Sequence, residues 1–234
     1  MAKSHYFSNV TTTCLREKSA TVALDYLLDH LTPSSVIGVG TGATVEVFLT
    51  LLVESRADFA YCVSSSERSS KAIQALALNE QPLSECSSVD FYIDGIDEGT
   101  MEGATIKGGG AALAREKILA TQSNVFITIA DQGRKVEKLG TFPLPIEVLP
   151  AGRASAVEAL QQLGGNPVQR ADCVTDNGNI ILDTSGLPFG NSADLEWQLN
   201  TIPGVVENGI FAHRKADFMA FSDDNGVEWV SVTE

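Results

Sequence analysis

The chain has 234 residues, 44% of them hydrophobic, and its 16 Lys and Arg against 30 Asp and Glu give a formal net charge of −14. That length accommodates one or two domains with ordinary cores. A surface this acidic repels nucleic acid and anionic membrane, so an anionic ligand must be a small one, met by a local concentration of basic side chains and backbone N–H groups.

The first half of the chain alternates. "CLREKSATVALDYLLDHL" (14–31) has helical spacing and is stopped by "TPSS". "SVIGVG" (35–40) reads as a strand, "ATVEVFLTLLVES" (43–55) as a helix, "FAYCV" (59–63) as a strand and "SSERSSKAIQALAL" (65–78) as a helix. "VDFYID" (89–94) and "VFITIAD" (125–131) are strands on either side of a helix, "GGAALAREKILA" (109–120). Strands alternating with helices imply a mostly parallel, Rossmann-like sheet covered on both faces. Ligands of such sheets bind beyond the carboxyl ends of the strands. Thr41, Ser64, Asp94 and Asp131 all fall at or just past those ends and should share one edge.

The pattern changes near "TFPLPIEVLP" (141–150). A strand there, a helix over 154–163, "NPVQRA" and "NIILD" around the turn signal Asn177-Gly178, a helix over 192–202 and "GVVENGIFA" give the order β-α-β-β-α-β. This is a second, smaller α+β domain of ferredoxin-like type over 142–211. The hairpin over 217–232 returns to the first domain, which comprises 1–141 and 212–234.

Two stretches carry chemistry. "GVGTGAT" follows a strand and opens a helix. It formally satisfies the dinucleotide fingerprint through Gly38, Gly40 and Ala43, but the next strand ends in "SSSE" rather than in an acid for a ribose. A single phosphate fits the loop better, held by backbone N–H groups at a helix start and by the hydroxyls of Thr41 and Thr44. A ligand-free strand-to-helix turn is the plain alternative.

The second stretch is "DGIDEGTMEGATIKGGGAALAREK" (94–117). Asp94, Asp97 and Glu98 could shape a turn, hold a divalent metal or move protons. The metal reading is weak, because the spacing is not that of a calcium loop and His5, His30 and His213 are scattered. Gly108, Gly109 and Gly110 let backbone approach a ligand closely, with Lys107 beside them. Glu116 interrupts an apolar stripe of Ala112, Leu113, Leu119 and Ala120. Either it is sheltered, and so suited to act as a base near neutral pH, or the helix is rotated and it pairs on the surface with a neighbour such as Lys117. A carboxylate base, a lysine with glycine N–H groups, two aspartates and a phosphate cradle together suit proton removal alpha to a carbonyl, as in aldose–ketose isomerisation of a sugar phosphate.

"IGVGTGAT", "VSSSERS", "DGIDE", "IKGGGAALAREKI", "IADQGRKVEKLG", "FPLPIEVLP" and "VTDNGNIILD" recur in this order in one family. From about residue 35 onward the chain resembles ribose-5-phosphate isomerase of the A type. The resemblance implies interconversion of ribose 5-phosphate and ribulose 5-phosphate, no metal or organic cofactor, and a homo-oligomer, usually a dimer. It implies that Glu116 shuttles the proton, that Asp94 and Asp97 contact sugar hydroxyls, and that Lys107 with Gly108, Gly109 and Gly110 steadies the enediolate. Further substrate contacts fall on Thr41, Gly42, Ala43 and Thr44, on Gly95 and Ile96, and on Arg134. The chain departs from the family pattern at Ala43 (usually Ser), Ile96 (often Ala) and Gly133-Arg134 (usually Ser-Lys). Lys135 is a second candidate for the phosphate, as are Arg16 and Lys18 from the N-terminal helix.

Two rival functions are a sugar-phosphate sensor without turnover and a nicotinamide dehydrogenase. Cys14, Cys62, Cys86 and Cys173 form no CxxC pair, which argues against a zinc cluster or disulfide framework and suits a reducing cytoplasm. No run approaches about 18 apolar residues, and "MAKSHYFSNVTTTC" lacks the apolar core of a signal peptide.

Overall fold

A computed structural model of the protein describes residues 3–232, with side chains from Cys14 onward; the side chain of His5 lies outside the described residues. Its elements run α1 (Lys3–Leu28), β1 (Val36–Val39), α2 (Ala43–Ser55), β2 (Tyr61–Ser64), α3 (Glu67–Ala75), β3 (Val89–Gly95), β4 (Glu98–Gly99), β5 (Thr105–Ile106), α4 (Leu113–Gln122) and β6 (Ser123–Asp131). They continue with β7 (Leu144–Val148), α5 (Arg153–Gln162), β8 (Asn166–Gln169), β9 (Ile180–Ser185), α6 (Ser192–Asn200), β10 (Val205–Asn208), β11 (Ile210–Phe211), β12 (Phe218–Asp223) and β13 (Gly226–Ser231).

The main sheet has the order β13-β12-β6-β3-β1-β2 and is parallel except for the β12–β13 hairpin. A parallel sheet covered on both faces needs strands apolar on both faces, and these strands alternate between two cores. Phe91, Ile93, Ile127, Ile129 and Ala220 pack under Leu24 and Leu27 of α1 and Phe48, Leu49 and Leu52 of α2. Tyr92, Phe126, Ala130, Met219 and Phe221 face the other way, against Leu119 and Ala120 of α4 and against Phe211.

The chain leaves β1 towards β2 on one side and then returns to β3 on the other. The gap between β1 and β3 is therefore a topological switch point, where open sheets form their binding crevice. The loop after β1 and the end of β3 meet there.

The second sheet, β10-β7-β9-β8, is antiparallel throughout and has its own core of Leu144, Ile146, Val148, Leu160, Leu182, Leu195 and Leu199. Its β-α-β-β-α-β order is that of the small α+β domain. β12 pairs with β6, so the hairpin returns to the first sheet.

Several elements differ from their sequence reading. α1 begins well before residue 14, in a polar segment with no apolar period to read. α3 covers only Glu67–Ala75: Ser66 caps it by accepting from Ser69 N, and Ala77 beyond its end has φ +55°. α4 starts at Leu113 rather than at residue 109, because Gly108 (φ +106°) and Ala111 (φ +59°) fold the glycines into a turn. "GVVENGIFA" is two strands, not one. Gly209 breaks it, where an added Cβ would stand 2.2 Å from the Lys107 carbonyl oxygen. That crossing passes the chain from the second sheet to a three-stranded sheet, β11-β5-β4, whose strands of two residues are too short to show a period.

Candidate active site

Lys107 leaves β5 and points beneath the end of β3. Its Nζ donates to the Gly95 carbonyl at 2.5 Å and lies 2.6 Å from Asp94 Oδ2 and 3.3 Å from Glu116 Oε2. All three charged side chains are buried. Asp94 is saturated: Oδ1 accepts from Thr41 N at 3.0 Å and Gly95 N at 2.7 Å, and Oδ2 takes Lys107 and the Tyr92 hydroxyl. Burial, then the charge of Asp94, hold the Tyr92 phenol well above its ordinary value, so it stays a donor. Room for the Asp94 carboxyl exists only because residue 40 is glycine, whose Cβ would sit 2.0 Å from it.

Glu116 is the second acid around a single ammonium. Its Oε2 accepts no hydrogen bond among the described residues. Burial, reinforced by the Asp94 charge, pushes its carboxyl up to about 8, and Lys107 works against the rise. Burial lowers the Lys107 ammonium, but the carboxylates of Asp94 and Glu116 outweigh it, so the lysine stays charged. Glu116 is thus the carboxyl that takes up a proton, and the alternative of a surface pair with Lys117 is excluded. Lys117 points the other way. Its Nζ reaches Glu196 at 2.8 Å, Glu207 at 2.9 Å and the carbonyls of Asn208 and Ile210, pinning α4 to the second domain.

A cleft of about 160 Å³ opens above these groups. It is lined by Thr41, Gly42, Ala43 and Thr44, by Gly95, Ile96 and Asp97, by Lys107, Gly108, Gly109 and Gly110, and by Glu116, Arg134 and Arg16. Of the catalytic and substrate-contacting residues that the resemblance implies, Asp94 does not line it, being wholly buried behind Lys107. Thr41 lines it with both donors engaged: N–H on Asp94, hydroxyl among Ser65, Ser66 and Ser69. The "SSSE" hydroxyls that argued against a ribose site thus brace the loop. For an anion there remain the first N–H groups of α2, which have no intrahelical partner, the Thr44 hydroxyl and two arginines.

Arg134 comes from the short turn after β6, which Asp131 caps by accepting from Gly133 N at 3.0 Å. Its Nη1 lies 3.5 Å from Asp97 Oδ1. Lys135 does not join it, since its Nζ pairs with Glu228 at 2.8 Å. Lys18 is likewise turned away, to the carbonyls of Asp223 and Asp224. Arg16 is thus the N-terminal basic residue at the cleft.

The three acids that raised a metal reading diverge. Asp94 serves Lys107, and Asp97 Oδ2 accepts from Gly109 N at 2.8 Å. Glu98 accepts from Gly140 N and Phe142 N at 2.7 and 2.5 Å, fixing the start of the linker to the second domain.

Sequence reasoning missed Tyr92, the serine brace and Arg170, which reaches the glycine arc from the second domain. Tyr92 was readable only as a core aromatic, and nothing in "VQRA" marks its arginine.

Anion donors and a sheltered carboxyl that can exchange a proton, in one cleft, suit an enzyme doing acid–base chemistry on a small anionic substrate. Comparison with known proteins narrows that class. Residues 61–226 match the model of the family ribose 5-phosphate isomerase A (phosphoriboisomerase A). Ribose 5-phosphate isomerase A from Neisseria gonorrhoeae superposes with a TM-score of 0.88 at 33% identity, over 94% of this chain and 98% of that one. The enzyme from Methanocaldococcus jannaschii gives 0.86 at 32%, over 94% and 99%. A D-ribose-5-phosphate isomerase in complex with phospho-erythronic acid gives 0.87 at 31%, over 94% and 99%. The chain belongs to the ribose 5-phosphate isomerase A family and is an aldose–ketose isomerase.

Proposed function

We propose that the chain interconverts D-ribose 5-phosphate and D-ribulose 5-phosphate, in the non-oxidative branch of the pentose phosphate pathway, through an enediolate with Glu116 as the base. The Glu116 carboxylate takes the hydrogen from C2 of the open-chain aldose. The C2–H electrons form the C1–C2 double bond, and the carbonyl pair moves onto O1. The acid then returns the proton to C1 while the O2 hydroxyl proton passes to O1, leaving a carbonyl at C2. Lys107 and the N–H groups of the glycine arc oppose the charge on the oxygens. Asp97, exposed to the cleft, handles hydroxyl protons and ring opening, whereas Asp94 acts through Lys107. The phosphate lies on the N–H groups of Gly42, Ala43 and Thr44, with Arg134 and Arg16.

The observation that carries this reading is the buried, proton-poised Glu116 carboxyl 3.3 Å from the Lys107 ammonium. The test is Glu116→Gln. It should abolish turnover and exchange of solvent deuterium into the sugar, while phospho-erythronic acid still binds. A fully active E116Q enzyme overturns the reading.

We propose further that the enzyme works in the cytoplasm as a homodimer, with sugar phosphate as its small-molecule partner. Four free cysteines support the first point, and among the described residues no helix is long and apolar enough to cross a membrane. Exposed Leu149, Val168, Val174 and Trp197 on the second domain offer apolar surface for a second copy. Sedimentation as a monomer at micromolar concentration would count against the dimer.

A further inference from the structure

Arg170 stands just beyond β8, and its backbone N–H extends the pairing with β9 by donating to Ile181 O at 2.9 Å. Its guanidinium has two sets of partners. Nε and Nη2 form a fork on Asp183 of β9, at 2.9 and 2.6 Å. Nη1 donates across the domain boundary to the carbonyls of Gly108, at 3.2 Å, and Gly109, at 3.0 Å. Arg170 does not line the cleft.

We infer that Arg170 is a positioning residue for the isomerisation, holding and polarising the glycine arc from behind. Three physical points carry this. First, three consecutive glycines have the largest conformational freedom to lose, so an arc of fixed shape needs an external hold. The turn within it, Ala111 N to Gly108 O at 2.9 Å, ties only its ends. Second, the amide is one resonant unit: Gly108 O and Gly109 N–H belong to one peptide, Gly109 O and Gly110 N–H to the next. A cation on each oxygen draws charge through the amide and makes the N–H beyond it a stronger donor. Gly109 N–H already serves Asp97 Oδ2 at 2.8 Å, so Arg170 also fixes that carboxylate in the cleft. Third, a planar fork locked on Asp183 is preorganised, as a lysine's single ammonium on a flexible stem is not. The second domain thereby contributes to a site whose reacting groups all belong to the first.

The inference rests on the reading that the arc faces a developing enediolate. The test compares Arg170→Met, Arg170→Lys and Arg170→Ala, each first checked for a cooperative melt. With ribose 5-phosphate, R170M should lose about tenfold to a hundredfold in kcat with KM changed by less than about threefold, the split expected when donors to a transition-state oxyanion are weakened. R170K should recover only part of the loss. Phospho-erythronic acid, whose planar carboxylate resembles the enediolate oxygens, should bind R170M more weakly by about the factor lost in kcat/KM. Millimolar guanidinium should restore part of the turnover of R170A. Unchanged kcat in R170M, or a loss confined to KM or to thermal stability, overturns the inference. If E116Q is silent while R170M keeps full kcat, only the role of Arg170 falls; if E116Q is active, the underlying mechanism falls with it.

Discussion

Lys107 Nζ lies 3.3 Å from Glu116 Oε2, and neither side chain has appreciable contact with solvent. One ammonium serves two acids here, and Asp94 holds it more closely, at 2.6 Å. Glu116 is therefore protonated in the empty enzyme below about pH 8 and becomes a base above it. Because kcat/KM reports the free enzyme, its pH profile should rise with pH through a midpoint near 8. Lys107→Met should cost about a hundredfold to a thousandfold in kcat. It should also move the midpoint of any residual activity upward, since the cation opposes the rise. A downward movement would refute this account of the pair.

The same carboxyl couples stability to pH. Its ordinary value is 4.5 and the fold raises it to about 8. Between those values the unfolded chain has released the proton and the folded chain has kept it. Stability conferred by the protonated form is complete below 4.5 and is lost as pH rises through the folded value. Glu116→Gln cannot ionise, so its melting temperature should gain on the wild type's across that interval. Parallel melting curves from about pH 5 to about pH 9 would remove Glu116 as the cause.

Lys117 makes the opposite case, a buried charge that holds domains together. Glu196, Glu207 and two carbonyls converge on its Nζ, which also lies 4.9 Å from the centre of the Phe211 ring. Removing one partner of a buried ion cluster leaves the others uncompensated. Lys117→Met should therefore lower stability by about 3–5 kcal/mol, as denaturant melts can measure. A cost below about 1 kcal/mol, the value of an exposed pair, would mean that the cluster is hydrated.

Much of this was readable in advance. The alternation of β1, β2, β3 and β6 with helices, the shared edge of Thr41, Ser64, Asp94 and Asp131, and the apolar stripe around Glu116 are local periodicities, which a sequence displays. Hidden features depend on residues far apart in the chain. Nothing in "AREK" distinguishes Glu116, aimed into the cleft, from Lys117, aimed at Glu196 and Glu207 about 80 and 90 residues away. Arg170 meets Gly108 and Gly109 only because two domains dock. Thr41 has the place of a phosphate ligand in its loop, yet its hydroxyl goes to serines of the next strand-to-helix turn.

Gly40 is a steric requirement rather than a phosphate contact. A Cβ there would stand 2.0 Å from the Asp94 carboxyl, well inside any tolerable contact. Gly40→Ala must displace Asp94 and with it Lys107, so activity should fall with stability, the latter by about 1–3 kcal/mol as in other overpacked sites. Gly42, whose added Cβ meets nothing within 4 Å, has φ +134°. Gly42→Ala should cost stability through strained backbone while leaving the Asp94–Lys107 pair in place. Equal tolerance at both positions, measured by melts and kcat, would contradict the packing at Gly40.

Ala43 and Arg134 are the two departures in the part of the cleft proposed to hold the phosphate, and they make separable predictions. Ala43 begins α2, where a serine hydroxyl could join the free N–H groups around an anion. Ala43→Ser should lower KM for ribose 5-phosphate about threefold, near 0.6 kcal/mol, the scale of one modest hydrogen bond. Arg134 is 42% exposed in its side chain and only loosely paired with Asp97, at 3.5 Å, so its guanidinium is available to the phosphate. Arg134→Ala should raise KM about tenfold with a smaller change in kcat, and Arg134→Lys should recover the charge but not the planar fork. Raised ionic strength should weaken the wild-type enzyme's binding more than that of R134A, because one screened attraction is already gone. Equal salt dependence in the two enzymes would place the phosphate elsewhere in the cleft.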